Sequence, residues 1–187
     1  SVSAIKGEEQ FTDYTISGST ISINSSTNAY GDVTFTIIAG NKTYTLPVTV
    51  ITKIIETKAD LENIMIYGGV DANLNYGGYF VLGNNVLLNG VLANRVSGTN
   101  FTAFDYKVSN MGYGFTGTFD GQGYTISGVQ INGTTGSLFG NVANTAVIKN
   151  LGVKATFTQV ASGNSFVFGA EFAGEIKNSY VSVNFAE

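Results

Sequence analysis

Chemistry on a folded chain needs groups that move protons, attack carbon or hold metal, and this sequence offers few of them. It contains no cysteine and no histidine, and its nine basic residues include a single arginine, Arg95. Thiol nucleophiles, thiolate metal sites, disulfides and imidazole catalysis are excluded together. Carboxylates remain. Cleaving a glycosidic bond takes two of them, about 5 to 10 Å apart, and the sequence offers Asp120, Glu171 and Glu175 as candidates. Asp120 opens the run Asp120-Gly121-Gln122-Gly123, which reads as an Asx turn with the carboxylate bonded to the backbone after it. Glu171 and Glu175 are close enough in sequence to converge, but Lys177 is the more obvious neighbour of Glu175. A lyase would further need a base and a calcium cluster, which these scattered acids do not supply. The expectation is a non-enzyme without catalytic residues, metal or cofactor.

Recognition is better provided for. Tyr76, Tyr79, Tyr106 and Tyr113, with Tyr67, Phe101 and Phe104 interspersed, exceed what a short segment can bury. These rings either form a face that stacks on sugars or protein surfaces, or they plug the end of the core. Asn150 and Asn178 occupy one repeat position, which suggests a stacked amide ladder inside a turn. Gly121-Gln122-Gly123 is a corner and not a phosphate cradle, because no strand-to-helix transition follows it. A net charge of −4 leaves no basic face on which counterions could be released, so nucleic acid is not an expected partner. No run of eighteen apolar residues is present, and no membrane insertion is expected within this segment.

These groups must be positioned by repeated elements. Residues 124–131, 146–153 and 174–181 align on Ile126, Ile148 and Ile176, at steps of 22 and 28 residues (148−126 and 176−148). Such spacing belongs to a solenoid whose coils stack apolar rows. The alignment predicts one row of Ile126, Ile148 and Ile176, another of Ile131, Val153 and Val181, and Asn141 as the stacked counterpart of Asp120. Thr57-Lys58-Ala59-Asp60 fits a capped helix start, and the helix to about residue 65 is placed to cover the N-terminal end of the solenoid. Before it, residues 1–52 alternate with period two and predict four strands, with Ala39-Gly40-Asn41-Lys42 as a tight hairpin and Pro47 on an edge. The junction 51–56 lacks flexible residues and should be stiff. The expected division is 1–52 and 53–187. Val181, Val183 and Phe185 still alternate near the last residue, so further coils, a cap or an anchor are expected beyond Glu187.

Two stretches resemble known families. Gly31 to Thr52 is similar to the closing hairpin of bacterial immunoglobulin-like domains, which implies a partial or reduced immunoglobulin-like β-sandwich segment. Phe115-Thr-Gly-Thr-Phe-Asp-Gly-Gln-Gly-Tyr-Thr-Ile126, Ser137-Leu138-Phe139-Gly140 and Ala146-Val-Ile-Lys-Asn-Leu151 resemble the GLUG-motif proteins of bacterial surfaces. That resemblance, over 57–187, implies a short right-handed parallel β-helix and an extracellular location, secreted or attached to the cell surface. The whole reads as all-β and as a non-catalytic module for adhesion, binding a polysaccharide or a host or cell-surface protein. The alternatives are a fragment of a carbohydrate-active enzyme with its acids outside this segment, or a structural stalk spacer.

Overall fold

A computed structural model describes residues 1–24, 29–65, 77–92, 115–132, 138–139, 141–159, 167–169 and 171–186. The described residues are all-β apart from one short helix, and the chain divides into two units, Ser1–Thr52 and Lys53–Glu187.

The first unit contains β1 (Val2–Lys6), β2 (Glu9–Gln10), β3 (Tyr14–Ser17), β4 (Thr20–Ile23), β5 (Gly31–Ala39) and β6 (Lys42–Val50). Three antiparallel hairpins, β1–β2, β3–β4 and β5–β6, each turn through two residues beginning with Gly7, Gly18 or Gly40. In each turn only the glycine has positive φ, near +60°, as a type II′ turn requires. One sheet has the order β2-β1-β5-β6, and β3–β4 forms a separate ribbon. Tyr14, Ile21 and Ile23 of the ribbon pack on the cluster of Ala4, Phe11, Val33, Phe35 and Val50. The Tyr14 ring meets Phe35 edge-on, with centroids 5.0 Å apart. Pro47 lies on the edge strand β6, where its missing N–H removes no inner ladder bond. The described residues of this unit thus form six strands where alternation predicts four. The opening strand was hidden because its buried residue is the small Ala4, while the more apolar Ile5 points outward.

The second unit begins with β7 (Lys53–Ile55), so the supposed stiff junction is itself a strand, paired in parallel with β8 (Tyr79–Leu82). Between them lies α1 (Lys58–Met65). At its start the Asp60 N–H donates to Thr57 Oγ1 at 3.2 Å and the Thr57 N–H returns to Asp60 Oδ2 at 3.0 Å, a reciprocal capping box. Leu61, fully buried, ties the helix into the apolar cluster of this unit. The remaining strands are β9 (Val86–Leu92), β10 (Thr118–Asp120), β11 (Thr125–Asn132), β12 (Asn141–Val142), β13 (Val147–Lys149), β14 (Gly152–Gln159), β15 (Glu171–Phe172), β16 (Glu175–Lys177) and β17 (Tyr180–Phe185).

Among the described residues all pairings in this unit are parallel. One sheet has the order β16-β13-β10-β8-β7, a second β17-β14-β11-β9, and a third joins β12 to β15. Consecutive pairs β8–β9, β10–β11, β13–β14 and β16–β17 each give one strand to each of the two larger sheets, so the sheets grow in step. Apolar rows follow: Phe80, Phe119, Ile148 and Ile176 in one sheet, and Val86, Ile126, Val153 and Val181 in the other.

These rows correct the expected register. Ile126 stacks on Val153 and Ile148 on Phe119, so Ile126, Ile148 and Ile176 do not share a sheet. Ile131 aligns with Phe157 and not with Val153. The cause is a corner of unequal length: Gly121 to Tyr124 separates β10 from β11, but only Asn150 and Leu151 separate β13 from β14. An irregularity in β11 at Gly128 shifts the phase again. Its φ is +67°, and a Cβ there would lie 2.4 Å from Asn89 Oδ1.

Candidate functional site

On the outer face of the larger parallel sheets, residues from neighbouring strands converge on one acid. Phe119 points inward and is fully buried, so the next residue, Asp120 at the end of β10, turns to the opposite face. Its register neighbours are Val81 on β8 and Lys149 on β13, so the counterpart of Asp120 is Lys149 and not Asn141. Asp120 is only 3% exposed, the only buried acid among the described residues. Its Oδ1 accepts from the Gln122 N–H at 3.0 Å, the expected Asx turn, and from Asn150 Nδ2 at 2.9 Å. Its Oδ2 accepts from the Tyr79 hydroxyl at 3.2 Å and lies 3.3 Å from Lys149 Nζ.

A carboxylate offers about four lone-pair sites, and here each oxygen has two partners. Burial pushes the Asp120 carboxyl upward, but the Asn150 amide, the Gln122 N–H and Lys149 outweigh it and hold the group below the usual carboxylate value. Lys149 is held above its ordinary value first by the Tyr79 phenol beside it, with Asp120 adding to that against the cost of burial. Burial in turn raises Tyr79. The Lys149 ammonium also lies 5.2 Å from the centre of the Tyr79 ring. An acid whose lone pairs are all engaged, beside a lysine held charged, is arranged for stability and not for proton transfer.

Tyr79 therefore leaves the set of candidate binding rings, since its hydroxyl is engaged and its ring is covered. Tyr76, Tyr106 and Tyr113 lie outside the described residues. Glu171 has a strand backbone in β15, and Glu175 forms an exposed ion pair with Lys177. The expected amide ladder takes a different form. Asn150 and Asn178 both turn their corners in the left-handed region, at φ 52° and 47°. The Asn150 amide, however, reaches the Asp120 carboxylate and not another amide. Ser179 also gains a role, since its hydroxyl accepts from the Leu151 N–H at 3.1 Å and donates to the Lys177 carbonyl at 2.8 Å.

Next to this network, an open groove of about 390 Å³ runs along the corners, lined by Gln122, Gly123, Asn150, Leu151, Gly152, Asn178 and Tyr180. Sequence reasoning missed it because its members come from three different corners. The available signal was the 28-residue step (150−122 and 178−150) between amide residues. Among the described residues no group of three or more acids could hold a metal ion, and no helix is long and apolar enough to cross a membrane. No family model matches the chain, and neither a curated protein nor a solved structure does.

Proposed function

We propose that the chain is a non-catalytic binding module of a secreted or cell-surface bacterial protein. In this reading residues 53–187 form a short right-handed parallel β-helix similar to the GLUG-motif proteins, with α1 covering its first coil, and residues 1–52 are a reduced immunoglobulin-like segment. The ligand is a glycan or a protein at a cell surface. The observation that carries the reading is the state of Asp120: the acid best placed for chemistry has four partners and a lysine as its stacked neighbour. Sheets that advance in step, with corners of similar chemistry aligned, provide an extended surface of amides, hydroxyls and rings, which suits recognition.

The test is an assay of the purified chain on pectin, glucans and peptidoglycan glycan strands, with and without calcium. No reducing ends and no unsaturated products are expected. Turnover that is lost in Asp120→Asn, Glu171→Gln or Glu175→Gln would make the protein an enzyme and end the binding-module reading.

A further inference from the structure

We infer that the corner groove is a site for an uncharged polysaccharide, with the Tyr180 ring as the platform for a pyranose. This rests on the binding-module reading and gives it a place and a ligand class.

The platform is built into the register. Thr125, Gly152 and Tyr180 are paired in one row across β11, β14 and β17. A Cβ at Gly152 would lie 2.7 Å from Cζ and Oη of Tyr180 and from Thr125 Oγ1, so the hydroxyl end of the ring lies over the bare backbone of β14, where a side chain would displace it. Its hydroxyl continues to Thr125 Oγ1, 3.2 Å away on the next strand. The ring is thus fixed at both ends and backed by a flat peptide surface, yet Tyr180 remains 52% exposed. A ring immobilised before binding loses little further freedom when a sugar stacks on it. An aromatic face with one side supported and one open suits the apolar C–H face of a pyranose.

The lining also argues for a neutral ligand. Gln122 and Asn178 are exposed, and their amides have no protein partner among the described residues. Both sit in left-handed corners, at φ 52° and 47°. Each offers a donor and an acceptor, the pairing that sugar hydroxyls need. No Lys, Arg, Asp or Glu lines the groove. Of the lysines beside the corners, Lys149 is matched by Asp120 and Lys177 by Glu175, while Lys154 stands outside the lining, two residues along β14 from Gly152. Among the lining residues themselves a uronic acid or a phosphate would meet no counter-charge. The volume of about 390 Å³ is at the small end of ligand sites, and the open groove lets a chain pass through.

The test is calorimetric titration of the whole chain with hexasaccharides of neutral glucan, mannan, xylan and galactan, with oligogalacturonate as the charged comparison. At least one neutral hexasaccharide should bind, equally at low and high salt. Tyr180→Ala should weaken it about tenfold or more; Tyr180→Phe, which keeps the ring and loses only the tether to Thr125, should weaken it less, and the first-unit control Tyr44→Ala should leave it unchanged. The double variant Gln122→Gly, Asn178→Gly removes both amides, suits the left-handed backbone, and should also weaken binding. Circular dichroism melting of each variant separates lost binding from lost fold. Neutral glycan binding that survives Tyr180→Ala with the fold intact overturns this site while leaving the module reading in place. So does binding confined to oligogalacturonate and abolished by salt, or the absence of any glycan binding. Cleavage of the hexasaccharides would instead remove the module reading itself.

Discussion

A carboxylate as buried as Asp120 is tolerated only while its partners stay in place, because an unpaired buried charge costs several kcal/mol. Asn150→Gly is the cleanest probe, since it keeps the left-handed corner and deletes one donor to Oδ1. A hydrogen bond to a charged group contributes about 1.5 to 3 kcal/mol, and urea unfolding of this variant should lose an amount in that range. The network also sets a pH response. Asp120 and Asp60 are both held below their ordinary values, Asp120 by the donors that outweigh its burial, Asp60 chiefly by the Thr57 hydroxyl. Their contribution is therefore complete above about pH 4, the unfolded carboxylate range, and is lost as pH falls through the lower folded values. Urea midpoints should drop on acidification in that window, and Asp120→Asn should make the drop shallower. At the helix start, Thr57→Ala removes the hydroxyl that accepts from Asp60 and should cost about 1 kcal/mol in the same assay.

The strand rows carry the core. Ile148 is fully buried between Phe119 and Ile176 in its sheet, so Ile148→Ala should cost about 2 to 5 kcal/mol in urea unfolding. Gly117 is as strict for a different reason: a Cβ there would stand 2.1 Å from the Gly78 carbonyl oxygen, a backbone atom that cannot swing aside. Gly117→Ala should therefore destabilise the second unit by about 2 kcal/mol or more, visible as a lower thermal midpoint. Much of this element structure could be read from the sequence. The β5–β6 hairpin, the edge position of Pro47, the Thr57 cap and the aligned corners at Asn150 and Asn178 all announce themselves through local turn and cap chemistry. The register could not be read by counting residues, because corner length and the irregularity at Gly128 are settled by pairing between distant strands. The same is true of the site. The Asx turn at Asp120 is local, whereas Tyr79 and Lys149 arrive from strands far along the chain, and Tyr180 owes its position to a glycine 28 residues earlier (180−152).

At the scale of the molecule, two apolar clusters share no residue, one drawn from 2–50 and the other from 55–183. Phe35 sits at the centre of the first, so Phe35→Ala should cost that unit about 3 to 5 kcal/mol. Calorimetry should show one transition displaced to lower temperature and the transition of the second unit left in place. Within the second unit, the corners hold a lesson about how such a chain can change. Four residues turn the chain after β10 and two do so after β13, yet Phe119 still rests on Ile148 and Ile126 on Val153. Position along the sheets is kept by hydrogen bonds between neighbours and not by the tally of residues between them. A change of length at a corner can therefore leave the strand register intact even where it disturbs the corner's own contacts, while a single deletion inside β11 would turn every following side chain of that strand to the wrong face. Corner length and strand order are thus separable in this unit: the first can vary while the second still decides which side chains meet.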